Sequence, residues 1–238
     1  MSYNIFIISD THFGHENCYS FYNYDGTKMR PWDSAEEADE IMIERWNSVV
    51  RPNDKVYHLG DVVFNRNKGD LILPRLNGRK CLIKGNHDKF KPSWYMKYFY
   101  DVRGCHNLEN FILTHIPVHH GSKGRFKGNL HGHIHANHLQ DGDTWYWNCC
   151  VEVNDYTPIS FDMIKNEYQN RTSSCSNFNR IKNMSLEEMH HMLYYMARGL
   201  DSCCQCPIKS KCARHNSKFY GVGPTCEETW KQWLNSEV

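Results

Sequence analysis

Five short clusters of Asp, His and Asn constrain this chain more than any other feature. They read Asp10-Thr11-His12, Gly60-Asp61, Gly85-Asn86-His87-Asp88, Thr114-His115 and Gly132-His133-Ile134-His135. Ile5-Phe6-Ile7-Ile8 leads into the first, Val56-Tyr57-His58-Leu59 into the second, Cys81-Leu82-Ile83 into the third and Phe111-Ile112-Leu113 into the fourth. A buried strand that ends in a ligand-type residue delivers that side chain to the edge of a sheet, where loops build sites. Any one cluster taken alone reads equally as a capping or surface residue, but the ordered set does not. Carboxylate and amide oxygens mixed with imidazoles suit a pair of divalent transition metals.

The chemistry of each cluster supports that reading. Asp10 and His12 stand two apart, and on extended backbone both side chains leave one side and reach one metal together. Asp61 offers two carboxylate oxygens and is suited to bridge ions about 3.5–4 Å apart. Asn86 offers a neutral carbonyl oxygen, and its amide protons can fix a phosphate oxygen. His133 and His135 again share a side and can reach one metal each, and His115 completes the second ion. His87 follows Asn86 and is not needed as a ligand, which frees it to act as a general acid.

The pattern around these clusters alternates strand and helix. Ser34 with Glu37 forms a capping box, and Ala38, Ile41, Met42, Trp46, Val49 and Val50 then fall on one helical face until Pro52 and Asn53-Asp54 end it. A strand to Leu59 follows, then a short amphipathic stretch near Leu71-Leu76 broken by Pro74, then a strand at residues 80–83. This order predicts an α/β sheet with helices on its faces. Segments 100–104, 110–114, 128–131 and 145–153 read as short strands, so the second half is expected to be more antiparallel. A last helix is expected over residues 160–168. Residues 1–169 then form one domain, the polar, turn-rich stretch 170–184 a linker, and residues 185–238 a separate unit.

In their order and spacing the clusters resemble the calcineurin-like metallophosphoesterases, over residues 3 to 165. The opening Asp10-Thr11-His12-Phe13-Gly14-His15-Glu16-Asn17 is similar to the compact, often phage-encoded members, and Asp88 after Gly85-Asn86-His87 points away from the protein serine/threonine phosphatase branch. The resemblance implies an α/β fold of two packed mixed sheets flanked by helices. It implies that a first metal takes Asp10, His12, Asp61 and His135, and a second takes Asp61, Asn86, His115 and His133. It implies hydrolysis of a phosphoester by a hydroxide held between the ions, with His87 protonating the leaving group and Asp88 orienting its imidazole. Manganese suits such histidine-bearing sites better than magnesium, with iron, nickel or zinc as other choices. Candidate substrate contacts are His15, Asn86 and Arg125, the last from the basic loop Gly121-Ser122-Lys123-Gly124-Arg125-Phe126-Lys127-Gly128, whose other reading is a solvated loop. His58 and His131 read as supporting or packing residues, and Cys149-Cys150 as buried thiols.

A second signal lies near the end. Cys203, Cys206, Cys212 and Cys226 have the spacing of a structural tetrahedral zinc site, and Thr225 with Glu228 caps a terminal helix bearing Trp230 and Trp233. So small a unit has little core, and a metal would offset the shortage. The alternatives are an iron–sulfur cluster or no metal. Lys209, Lys211, Arg214 and Lys218, followed by Phe219-Tyr220, would suit single-stranded nucleic acid, or else a protein partner or plain solvent.

Bulk properties narrow the function. A net charge of +1 and a pI of about 7.6 do not announce a nucleic-acid binder, so any basic patch is local. No apolar run approaches the roughly 20 residues that span a bilayer. The odd count of 11 cysteines fits a reducing compartment better than a disulfide scaffold, and no basic-apolar signal pattern opens the chain. A cytoplasmic location is expected, in the host cytoplasm if the chain is phage-encoded, with no membrane association. The stretch between Asn86 and His115 is too short for a large cap, and an open site favours a phosphodiester, in a nucleotide or nucleic acid, over a phosphomonoester. The rival from another class is a nucleic-acid or partner-binding module with a vestigial metal centre.

Overall fold

The computed structural model describes residues 3–22, 26–137, 139, 145–174 and 184. The chain divides into two compact units, Met1–Ile164 and Lys165–Val238. The first contains the strands and the sequence clusters. The described part of the second is chiefly the later turns of a helix, Phe161–Ser174 (α4). Residues 170–174 of the expected linker are therefore helical. The turn-forming serines and asparagines that suggested a linker are tolerated there at the helix end.

Three apolar runs and one short polar segment become parallel strands: β1 (Ile5–Ile8), β2 (Lys55–His58), β3 (Arg79–Ile83) and β4 (Asp101–Arg103). They lie in the order β4-β3-β2-β1, and β9 (Ile159–Ser160) closes the edge antiparallel to β1. Both faces of this sheet are covered, which is why Phe6-Ile7-Ile8, Val56-Tyr57 and Cys81-Leu82-Ile83 are buried in succession instead of alternating. Phe6, Ile8, Val56 and Leu82 join one core with Ala38, Met42 and Trp46 of helix α1 (Ala35–Val49), Ile72 of α2 (Arg66–Ile72) and Trp94 and Tyr95 of α3 (Pro92–Tyr95). Ser34 caps α1 by accepting the Glu37 backbone N–H at 3.1 Å, as its place in the sequence predicts. Ile7, Tyr57, Cys81 and Ile83 are buried on the opposite face, because successive strand side chains alternate. There the Tyr57 hydroxyl meets His106 Nε2 at 3.1 Å.

His106 belongs to a second sheet of β5 (His106–Leu108), β6 (Phe111–Leu113), β7 (Gly128–His131) and β8 (Tyr146–Asn148), in that order. Only β5 and β6 are antiparallel; β6, β7 and β8 run parallel. The second half is thus more antiparallel than the wholly parallel run β1–β4, as expected, through the β5–β6 and β9–β1 pairings, although β6, β7 and β8 stay parallel. The β6–β7 crossover carries only the short 3-10 turn His120–Ser122, and nothing in a short strand's sequence separates a crossover from a long hairpin. The architecture is α/β, with two mixed sheets and flanking helices. Among the described residues no helix is long and apolar enough to cross a membrane.

Candidate metal centre

All five clusters sit just beyond the C-terminal ends of β1, β2, β3, β6 and β7. The loops there bend sharply. Asp10 (φ 60°), His12 (47°), Asp61 (57°), His133 (73°) and His135 (51°) all occupy left-handed backbone, a conformation that side-chain-bearing residues rarely adopt and that concentrates at functional sites. Asp10 and His12 therefore do not share a side by extended pleating, as two-residue spacing suggests. Left-handed turns aim them instead. Glycines let the loops approach: a Cβ at Gly132 would fall 1.9 Å from Ser9 Oγ and 2.3 Å from Asp10 Oδ2, and one at Gly85 2.2 Å from Asp61 Oδ1.

These bends gather two groups of donors, Asp10 with His12 and His135, and Asp61 with His115 and His133; within each the ligand atoms lie inside 4.8 Å of one another. Each carboxylate is divided in use. Asp10 Oδ2 accepts the His133 backbone N–H at 2.9 Å and the Cys150 thiol at 3.2 Å, while Oδ1 is buried with no hydrogen-bond partner. Asp61 Oδ1 accepts the His87 backbone N–H at 2.8 Å. Its Oδ2 stands 3.9 Å from His12 Nε2 and 3.4 Å from His115 Nε2, so a single oxygen faces both groups. His12 is buried, and neither ring nitrogen has a hydrogen-bond partner. Buried polar atoms left unpaired are costly, and a cation among them satisfies several at once.

Two of the imidazoles, His115 and His135, have their Nδ1 engaged and Nε2 left for a ligand role. His115 Nδ1 lies 2.8 Å from the Leu59 carbonyl, which can only accept, so the proton is on Nδ1 and Nε2 is turned inward. There Nε2 meets Asn86 Oδ1 at 2.8 Å, an acceptor facing an acceptor, which a positive ion between them resolves. His135 Nδ1 lies 3.1 Å from Glu152 Oε1, the carboxylate–imidazole pairing that orients metal ligands. Arg30, fully buried, donates to Glu152 Oε1 at 3.0 Å and to the backbone carbonyls of Thr11 and Asp10 at 2.8 Å each, fixing the first loop against Glu152. Arg30 and Glu152 escape sequence reasoning. Arg30 lies in a loop without periodic signal; Glu152, between Val151 and Val153, could have been singled out as a charge in an apolar setting. His58 accepts the Gly60 N–H on Nδ1 and meets the Thr11 hydroxyl on Nε2, the supporting place expected of it. His131 Nδ1 lies 3.0 Å from the Gly132 carbonyl.

The electrostatics favour the ionised carboxylates of Asp10 and Asp61 and the neutral His12 imidazole. Burial alone would raise the Asp10 carboxyl, but His12 and then His115 hold it well below the usual carboxylate range. Burial opposes ionisation of Asp61 in the same way and is outweighed by His115. Burial lowers His12, and brings His58 down to about 3. Burial also works against protonated His115 and His135, yet Asp61 and Glu152 respectively outweigh it and raise them. Facing carboxylates thus attract positive charge to both ring positions, as they would a divalent ion.

His87 lies beside this centre, its ring 5.7 Å from that of His12 and 4.8 Å from that of Phe64. It borders a cleft shared with His12, His15, Arg30, Phe64 and His135. The orienting role expected of Asp88 is corrected. Its carboxylate accepts the backbone N–H groups of Gly85 (2.8 Å), Asp61 (2.9 Å) and Val62 (3.1 Å) and the Tyr95 hydroxyl (3.3 Å). It ties the His87 loop to the Asp61 loop, and among the described residues no hydrogen bond joins it to the His87 imidazole. Arg125, another candidate substrate contact, lies away from this cleft. It is exposed and is not among the residues that line the cleft. Lys127, two residues on, donates its N–H to Asn110 at the start of β6, the end opposite His115. His119 instead caps its own turn, its Nδ1 accepting the Gly121 N–H at 3.1 Å. The proposed zinc ligands Cys203, Cys206, Cys212 and Cys226 lie outside the described residues.

No protein-family model matches the chain. The uncharacterized protein MJ1445 of Methanocaldococcus jannaschii is 36% identical over 168 residues, which span 67% of this chain and 88% of that protein. The gene 66 protein of Mycobacterium phage L5 is 35% identical over 89 residues, 36% of this chain and 40% of that protein. Among solved structures, the protein of unknown function AQ665 from Aquifex aeolicus superimposes with a TM-score of 0.54 at 27% identity, covering 70% of this chain and 100% of that one. The chain belongs to the family of the M. jannaschii protein MJ1445.

Proposed function

We propose that the chain is a dinuclear metal-dependent phosphoesterase of the calcineurin-like type, acting on a phosphodiester of a nucleotide or nucleic acid. One observation carries this reading: Asp61 Oδ2 faces His12 of one donor group and His115 of the other. Asp10, His12, Asp61 and His135 would hold one ion, and Asp61, Asn86, His115 and His133 the other. Two bound ions supply an activated water and neutralise phosphate oxygens in the reaction. The protein's own groups do the rest. Arg30 and Glu152 keep the first loop and His135 aligned. The Asn86 amide protons lie where they can bind a phosphate oxygen once its carbonyl is engaged. His87, half-buried at the cleft, delivers a proton to the leaving oxygen from its imidazole. Phe64 and His12 bracket that ring, in the role first expected of Asp88.

The open flank of the site, with His133 and Asn86 exposed, supports a diester over a monoester sealed in a closed pocket. The test is to load the purified chain with manganese and measure bound metal and hydrolysis of nitrophenyl diester and monoester, cyclic nucleotides and single-stranded RNA and DNA. Two manganese ions per chain with diester hydrolysis is the expected result. Two bound ions without hydrolysis of any ester would instead favour the binding-module reading. For the C-terminal unit we propose one structural zinc on Cys203, Cys206, Cys212 and Cys226. Cys206→Ser is expected to release about one zinc per chain by metal analysis while small-diester hydrolysis persists. Retention of that zinc refutes the assignment.

A further inference from the structure

The cleft beside the Asp10, His12 and His135 group is larger and more apolar than a phosphate needs. It encloses about 410 Å3, within the roughly 300–1,000 Å3 of organic-ligand sites. Phe21, Met29 and Phe64 form its wall together with His15. The rings of His15 and Phe64 lie parallel, 5° apart with centroids at 3.8 Å, and Phe21 meets His15 edge-on at 6.1 Å. Phe21 and Phe64 nevertheless remain 45% and 36% exposed, so ring surface stays open next to the centre. The charged residues at the cleft, Arg30 and Glu152, are bonded to each other, and beside the imidazoles and the Cys18 thiol the lining is the aromatic surface of Phe21 and Phe64 and the Met29 thioether. His87 shares this cleft and touches Phe64. A leaving oxygen within reach of His87 therefore carries its organic group along Phe64 and Phe21.

We propose that this cleft stacks a planar aromatic group of nucleobase size, carried on the leaving-group side of the phosphoester. The inference rests on the phosphoesterase reading above and adds where the base is held and on which side of the scissile bond. Stacking of a base on aromatic side chains contributes about 1–3 kcal/mol, which is about 5- to 150-fold in kcat/KM.

The test compares adenosine 2′,3′-cyclic phosphate with the same cyclic phosphate on methyl riboside, which keeps the leaving oxygen and removes the base. The manganese-loaded full chain is expected to prefer the adenosine ester within that range. The double variant Phe21→Leu/Phe64→Leu is expected to bring the ratio near one, with manganese content and thermal transition as the check that the fold survives. Equal kcat/KM for both esters in the unaltered chain overturns the stacking cleft and leaves the phosphoesterase reading standing. A preference that persists in the folded, metal-loaded double variant also overturns it. Should neither these esters nor any of the panel above be hydrolysed with both metals bound, the phosphoesterase reading falls instead. The cleft is then judged by calorimetric binding of adenosine 3′-monophosphate against methyl riboside 3-phosphate: tighter binding of the adenylate, lost in the double variant, supports it, and equal affinities overturn it.

Discussion

Replacing Asp88 by Asn separates the two roles this carboxylate can have. Oδ2 accepts from Gly85 N and Asp61 N at 2.8 and 2.9 Å, and Oδ1 from Val62 N and the Tyr95 hydroxyl at 3.1 and 3.3 Å. Asparagine keeps one oxygen. Turned toward Gly85 and Asp61, it leaves an NH2 group facing the Val62 N–H, and that buried donor loses its acceptor at a cost of about 1–3 kcal/mol. The two retained bonds lose their charge assistance, on the order of 1 kcal/mol each. Burial pushes the Asp88 carboxyl up, so removing the charge also relieves part of its desolvation. The net is about 2–4 kcal/mol, or roughly 5–15 °C in Tm for a unit of this size. The assay is a thermal melt of the manganese-loaded protein, paired with hydrolysis of a nitrophenyl diester and an alkyl diester. A brace between loops predicts a lowered Tm, with both esters slowed by a similar factor. Unchanged Tm together with a selective loss on the alkyl ester would refute the brace and restore Asp88 as the partner of the His87 imidazole.

Three further outcomes follow from the same geometry. Asp61→Asn keeps an acceptor for the His87 N–H but turns an NH2 toward His12 and His115; metal analysis is expected to show loss of bound manganese and diester hydrolysis to fall by at least about 10³-fold, as removal of several kcal/mol of charge stabilisation implies. His87→Ala is expected to retain both ions yet slow alkyl esters by about 10²–10⁴-fold, with a much smaller loss on nitrophenyl esters, whose leaving group needs no proton; equal losses count against general-acid catalysis. Asp39, whose two oxygens receive the Gly14 N–H, is raised by burial from 3.8 to about 6. Because its folded pKa lies above the unfolded one, its contribution to stability is complete below pH 3.8 and is lost as pH rises through 6. Asp39→Asn should therefore raise Tm relative to the parent at pH 7.5 and leave it nearly unchanged at pH 4, and a Tm lowered at pH 7.5 contradicts the burial argument.

Which strands end in ligand-type residues is legible from the chain one run at a time. An apolar run fixes a buried strand locally, and whatever follows it must emerge at the sheet edge, so Asp10, Asp61, Asn86 and His115 were legible one segment at a time. The cap at Ser34 and the face of α1 were legible for the same reason, being properties of a few neighbouring residues. Contacts between segments depend instead on how the chain packs. Left-handed turns, not extended pleating, aim Asp10, His12, His133 and His135, and one Asp61 oxygen faces both groups because β1, β2 and β6 end side by side. Arg30 and Glu152 lie far apart in the chain and acquire their role only when folding buries them within 3.0 Å of each other. Asp88 sits next to His87 in sequence, yet its carboxylate turns to backbone N–H groups that only the packed loops bring within reach. Arg125 belongs to a loop whose basic residues invite phosphate, and the register of β7 against β6 carries it to the far end of the sheet. Local pattern fixes local conformation; long-range hydrogen bonds and register, which no single segment encodes, fix what each residue touches.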